Sequence, residues 1–254
     1  MKTCWLHQQG NQDCLLFMAG WGMCPEPFHE IPAGSVDVLM LYDYRSMAFE
    51  DIPSALEDLQ RNLQGNLQAK VPYRKVHLLA WSMGVWAASM LFANKTLSAQ
   101  DLTSMFASTI AIGGTCHPIH DKLGIPEHNF ADMAERLSPA RLEAFQRSMF
   151  TDELEANRFA TSFRKGNRSP EELHQELLAL STAYKAHTNY TTYKAQPDVP
   201  NIYTSRIVTG RDQIFPARNQ VRAWGRKKCR TLSLSHFPFY HWPSWSAMIE
   251  ELKS

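Results

Sequence analysis

Short apolar runs alternate with stretches of helical spacing along most of this chain, a pattern best satisfied by a mainly parallel sheet covered by helices on both faces. Cys14 to Ala19 is an apolar run closed by Gly20, and Val36 to Tyr42 is another, entered after Pro32 and Gly34. Both read as strands. After Pro53-Ser54, Leu56, Leu59 and Leu63 have helical spacing; Val76 to Trp81 then reads as a buried strand, and Met83 to Asn94 as a helix with apolar residues on more than one face. Met105 to Ile112 is a further strand ending at Gly113-Gly114. Ile202 to Val208 returns to strand character before Gly210, a helix follows Pro216, and Thr231 to Leu234 is a last strand before His236. Between Pro118 and Pro197 the strand signal is lost, and Leu137, Leu142 and Phe145, then Leu173, Leu177 and Leu180, keep helical spacing. The expectation is an α/β core formed by residues 1–117 and 198–254, interrupted by an inserted helical cap at 118–197.

A length of 254 residues with 44% hydrophobic composition suffices for one large domain with a full core. Lys and Arg total 26 against 25 Asp and Glu, so no global excess of positive charge points to nucleic acid. The first twenty residues are broken by His7, Gln8, Gln9, Gly10, Asn11 and Gln12, which leaves no apolar core for a signal peptide, and no later run approaches the length of a membrane helix. A soluble, cytoplasmic, monomeric protein without a membrane partner is expected. The five cysteines form an odd set with no Cys-x-x-Cys pair, and the regular Cys4, Cys14, Cys24 spacing lacks a clustered fourth ligand. Reduced thiols, no metal and no cofactor are the expectation.

The chemistry concentrates at Leu79-Ala80-Trp81-Ser82-Met83-Gly84-Val85-Trp86, a serine between a predicted strand and a predicted helix. A nucleophile elbow needs that context, because a sharp turn holds the hydroxyl above the sheet and small flanking residues admit the tight backbone. The first glycine of the usual Gly-x-Ser-x-Gly pattern is Ala80 here. A hydroxyl is a poor nucleophile at neutral pH, so it requires a base, and the base an orienting carboxylate. Asp212 sits in the loop leaving a predicted strand, where it also suits a turn or an N-cap, and His236 follows the last strand. Serine, acid and histidine thus occur in the chain order this type of site uses. His241, five residues beyond His236, competes for the role of base but lies further from the strand end. The backbone N–H of Met83 is one candidate oxyanion donor, and the N–H of Trp21, in Ala19-Gly20-Trp21-Gly22 after an early strand, is the second.

With these residues in place, the chain resembles the BioG-type pimeloyl-acyl-carrier-protein methyl ester esterases of biotin synthesis, within the α/β-hydrolases. The resemblance is carried by Ala19-Gly20-Trp21-Gly22, Tyr42-Asp43-Tyr44, Ala80 to Trp86, Gly124-Ile125-Pro126, Leu173-His174-Gln175-Glu176-Leu177, Arg211 to Phe215, His236 and His241-Trp242. These pieces run in order over nearly the whole chain. The serine motif alone identifies a superfamily, whereas Ala80 and the Leu-His-Gln-Glu-Leu segment look like this smaller family.

The resemblance implies an α/β-hydrolase fold with Ser82 as nucleophile, Asp212 as acid and His236 as base. It also implies hydrolysis of the methyl ester that masks the far carboxylate of a pimeloyl chain on acyl carrier protein, with that carrier as partner. Phe130, Phe145, Met149 and Phe150, with Trp21, are the candidate channel lining; ordinary helix packing accounts for the same spacing. Two basic clusters are candidates for docking the acidic carrier: Arg136, Arg141 and Arg147, and Arg218, Arg222 and Arg226, whose four-residue spacing places them on one helix face. Two rivals stay open, a thioesterase or other small-acyl hydrolase using the same three residues, and a non-catalytic binding protein of the same fold.

Overall fold

The computed structural model describes residues 1–46, 73–93, 105–192 and 201–253. Among the described residues, seven strands form one sheet: β1 (Lys2–His7), β2 (Asp13–Met18), β3 (Val36–Tyr42), β4 (Lys75–Trp81), β5 (Ser108–Ile112), β6 (Ser205–Thr209) and β7 (Arg230–Leu232). Their order across the sheet is β1-β3-β2-β4-β5-β6-β7. All neighbours are parallel except β1, which runs antiparallel to β3 with Lys2 opposite Tyr42. Cys14 to Met18 in β2 and Leu78 to Trp81 in β4 are fully buried. Continuous apolar runs are what a parallel strand covered on both faces requires.

The helices among the described residues are α1 (Glu26–His29), α2 (Met83–Ala93), α3 (Glu127–Glu135), α4 (Pro139–Ser148), α5 (Glu153–Phe163), α6 (Pro170–Thr192), α7 (Ala217–Trp224) and α8 (Trp245–Leu252). α2 is buried on nearly every side, through Val85, Trp86, Ala87, Ala88 and Leu91, as expected for the helix leaving a central strand. Helices α3 to α6 all fall between β5 and β6 in the chain, the stretch in which the sequence shows no strand. The expected helix around Leu56, Leu59 and Leu63, and the end of the Met83 to Asn94 helix, lie outside the described residues.

Two elements carry no clear signal in the sequence. β1 lies at the edge of the sheet and is mostly exposed or half-buried, and its three-residue apolar run Cys4-Trp5-Leu6 is too short to mark it. α8 follows Pro243-Ser244, where the Ser244 hydroxyl accepts the N–H of Ala247 as an N-cap, and it buries Trp245, Met248, Ile249 and Leu252. The last strand stops at Leu232 rather than Leu234. There the chain turns, and the N–H of Arg211 donates to the Leu234 carbonyl at 2.9 Å, joining the two loops that bear Asp212 and His236.

Candidate active site

Four loops leave the C-terminal ends of parallel strands on the same edge of the sheet, where open α/β sheets place their ligands. Ala19-Gly20-Trp21-Gly22 follows β2, Ser82 follows β4, Asp212 follows β6 and His236 follows β7. Ser82 has φ of 58°, a left-handed conformation that a residue with a side chain adopts only where its surroundings enforce it. Those surroundings are glycines. A Cβ at Gly84 would overlap the carbonyl oxygens of Met18 and Ala19, and one at Gly114 would overlap the Ser82 carbonyl. A Cβ at Gly20 would lie 3.0 Å from the Ser82 Cβ. Ala80 is fully buried in β4 opposite Met18 and Ala111, so the strand accommodates its methyl group there.

The His236 ring reaches Ser82 Oγ through Nε2 at 3.1 Å and Asp212 Oδ2 through Nδ1 at 2.8 Å. All three residues are buried. The two oxygens of Asp212 make different contacts. Its Oδ1 accepts the N–H groups of Ile214 and Phe215, each at 2.8 Å, as a turn aspartate does. Its Oδ2 accepts from Thr209 Oγ1 at 2.7 Å and Gln220 Nε2 at 3.1 Å while facing His236. The Phe215 ring lies parallel to the imidazole, with centroids 6.0 Å apart. His241, the competing base, is exposed on a short 3-10 turn, with its ring against Trp242.

The C-terminal segment holds His236 in place by burying the residues after it. Phe237 and Phe239 pack edge-on against Trp81 and contact Phe28, whose ring in turn meets Phe17 at 5.0 Å. A histidine that emerges from such an aromatic cluster has little freedom to swing away.

Above Ser82 lies a largely apolar cavity of about 420 Å³, within the usual range for small-molecule sites. Trp21, Phe130, Phe145 and Met149 line it together with Ser82, Met83 and His236. The Trp21 and Phe145 rings meet edge to face at 5.0 Å. Phe150 departs from the sequence expectation. It faces away from the cavity, packed against Phe159 and Phe237, because the chain turns after α4 and sends consecutive residues to opposite sides. Besides Ser82 and His236, the polar side chains lining the cavity include Asn129, Arg141, Ser148 and Gln213.

The basic clusters also differ from their one-dimensional reading. Arg136 and Arg141 both pair with Asp132, and Arg147 pairs with Glu153 at 3.3 Å. Arg218 and Arg222 are exposed on α7, one turn apart. Arg226 does not share their face: the helix ends at Trp224, and Gly225 at φ of 82° redirects the chain.

Several supporting residues escape sequence reasoning. Gln220 and Thr209 both reach Asp212, and Trp81 bonds the backbone of His236. Glu176, fully buried on α6, receives the N–H groups of Gly22 and Tyr44 and pairs with Arg168. Burial pushes the Glu176 carboxyl up to about 7, against the downward pull of Arg168 and the Tyr44 N–H. Only the Leu173-His174-Gln175-Glu176-Leu177 segment hinted at it. Among the described residues, no group of three or more His, Cys, Asp or Glu side chains converges as a metal site. No described helix is long and apolar enough to cross a membrane.

The sheet order, the strained serine after the fourth strand and the cavity above it are those of the α/β-hydrolase fold. A family model described as pimeloyl-ACP methyl esterase BioG matches residues 1–248, and the chain belongs to that family. It is 32% identical over 224 residues to a malonyl-[acyl-carrier protein] O-methyltransferase of Bacteroides fragilis, a match that takes in 87% of this chain and 38% of that protein. The chain thus spans well under half the length of that relative. The crystal structure of BioG from Haemophilus influenzae superposes with a TM-score of 0.71 at 26% identity, over 100% of both chains. An esterase from Exiguobacterium antarcticum shares the fold, with a TM-score of 0.55 at 14% identity over 91% of this chain and 85% of its own.

Proposed function

We propose that this chain hydrolyses the methyl ester of a pimeloyl group carried on acyl carrier protein, through an acyl-enzyme on Ser82. The observation that carries this reading is the Ser82, His236 and Asp212 relay, with contacts of 3.1 and 2.8 Å, at the floor of an apolar cavity, in a chain of the BioG family.

In the first half-reaction, Ser82 Oγ attacks the ester carbonyl carbon as His236 Nε2 takes its proton. The carbonyl oxygen becomes an oxyanion, received by the backbone N–H groups of Met83 and Trp21. The carbon–oxygen bond to the methoxy group then breaks, His236 returns the proton, and methanol leaves. In the second half, His236 deprotonates a water that attacks the acyl-enzyme, and collapse of that intermediate frees Ser82 and a carboxylic acid. Asp212 keeps the imidazole in the tautomer with its proton on Nδ1 and stabilises the imidazolium formed in each half.

Selectivity follows from depth. The thioester is the more reactive carbonyl, yet a carrier protein cannot enter a cavity of about 420 Å³, so the distal ester is the one that reaches Ser82. The cavity's aromatic and aliphatic walls suit the methylene chain, with α3 to α6 acting as the cap. Arg218 and Arg222 on α7, with Arg226, Lys227 and Lys228 beyond it, form the basic surface offered to the acidic carrier. The cap arginines are less available, since each has an acidic partner.

The test compares methanol release and thiol release by the purified protein on methyl-pimeloyl carrier protein, with free methyl pimelate as control. Methanol release that leaves the thioester intact is expected. Preferential thioester cleavage would overturn the substrate assignment.

A further inference from the structure

Glu176 and Arg168 form an ion pair at 2.8 Å, with side chains 0% and 5% exposed. Desolvating two charges costs several kcal/mol, and apolar residues of similar volume often stabilise a core better. A buried pair of this kind therefore invites a directional explanation, and its partners supply one. Glu176 Oε2 accepts the N–H of Gly22 at 3.3 Å, and its Oε1 accepts the N–H of Tyr44 at 3.1 Å. The Tyr44 hydroxyl in turn donates to the Ala19 carbonyl at 2.6 Å. One turn earlier on α6, and on the same face, the Leu173 carbonyl accepts the indole N–H of Trp21 at 2.9 Å. Arg168 completes the frame by donating to the Met23 carbonyl at 2.9 Å.

The loop Ala19-Gly20-Trp21-Gly22 is thus pinned at its start, its middle and its end, and two of the three pins come from α6. It lies directly against the candidate nucleophile, since a Cβ at Gly20 would touch the Ser82 Cβ. Around the pair stand Asp43, Arg45, Lys2 and Glu172. Burial pushes Asp43 up, yet Arg45, Arg168 and Lys2 together hold its carboxyl well below the usual range.

We propose that Glu176, oriented by Arg168, is a positioning residue for ester hydrolysis: it couples helix α6 to the loop after β2 and so aims the Trp21 N–H at the developing oxyanion. This rests on the reading of Ser82 as nucleophile and Trp21 N–H as oxyanion donor. Docking of α6 over the cavity and assembly of the oxyanion site become one event, because the same helix carries Leu177 in the cavity wall.

The experiment measures phosphonylation of Ser82 by a p-nitrophenyl alkylphosphonate, whose phosphoryl oxygen occupies the oxyanion position, in wild type, Glu176→Gln and Trp21→Phe. The first variant alters one pin and removes the ion pair; the second removes the indole bond while leaving the backbone N–H. The maximal labelling rate is expected to fall about 10- to 100-fold in Glu176→Gln, with half-saturating reagent concentration little changed because Glu176 lies outside the cavity lining, and about 10-fold in Trp21→Phe. If Glu176→Gln does not fold, Glu176→Asp, which keeps the charge but shortens the reach to the Gly22 and Tyr44 N–H groups, decides by the same readout. Unchanged maximal rates, or a loss confined to reagent affinity, would overturn the proposal. A wild type that labels at Ser82 but cleaves the thioester first would sink the substrate assignment and leave the labelling comparison to judge the positioning role.

Discussion

The indole N–H of Trp81 donates to the carbonyl oxygen of His236 at 2.8 Å. The residue immediately before the candidate nucleophile therefore holds the backbone of the candidate base, across 155 positions of sequence. The two rings also lie together, with centroids 5.2 Å apart. Serine and imidazole are thus set at their separation by a short, fully buried link rather than by two independent loops.

Trp81→Phe removes that link while keeping an aromatic ring in the cluster. We expect kcat to fall about 10- to 100-fold with KM nearly unchanged, because substrate contacts survive and the serine–histidine geometry does not. The lost volume in a fully buried site should also cost about 1–3 kcal/mol of stability, read from denaturant unfolding. A rise in KM alone would show that Trp81 serves only the cavity wall.

Asp212→Asn should reduce kcat by about 10³- to 10⁴-fold, since the amide can favour the imidazole tautomer with its proton on Nε2, leaving no lone pair for the serine proton. His236→Ala should be equally severe, while His241→Ala leaves steady-state rates within about twofold of wild type. Loss of activity only in the position-241 variant would reassign the base.

Gly84→Ala places a methyl group against the Met18 and Ala19 carbonyl oxygens, both part of the rigid β2 backbone and the loop it feeds. We expect destabilisation of about 1–3 kcal/mol or more, because strand backbone cannot yield as a flexible side chain does. Gly114→Ala meets the Ser82 carbonyl and should add a loss of Ser82 labelling. Thermal melts with and without a covalent serine label separate the two effects.

Glu176 carries a pH signature. Its folded-state value of about 7 lies above the ordinary 4.5, so the folded state binds this proton more tightly than the unfolded chain. The resulting contribution, about 3 kcal/mol, is fully present below the unfolded value and disappears as pH rises through about 7. Stability of wild type relative to Glu176→Gln should therefore decline between pH 5 and pH 8, measured by chemical denaturation at both values. A flat difference would place the carboxyl in its ordinary range.

Much of this could be read in one dimension where local physics dominates. Strands β2, β3 and β4 announce themselves because burial on both faces demands mainly apolar runs, which Asp37 in β3 and His77 in β4 interrupt only once each. The elbow at Ser82 is legible because a left-handed serine needs glycine nearby, and Gly84 stands two residues away. The edge strand β1 and the C-terminal helix α8 were less visible: one is only half-buried, and the other is defined by the pocket of aromatic rings that Trp245 enters. Phe150 misled because helical spacing says which residues are buried together but not which of two adjoining cores receives them.

From sequence alone come the alternation of strand and helix, the order of serine, aspartate and histidine, and the family they imply. These are set by local conformational preference and by chemistry that tolerates few residue types. Only the tertiary structure set the His236 ring 3.1 Å from Ser82 Oγ, divided the two oxygens of Asp212 between a turn and an imidazole, and brought Glu176 to the loop beside Ser82. Each of these depends on distances between segments far apart in the chain, which packing sets and residue spacing does not encode.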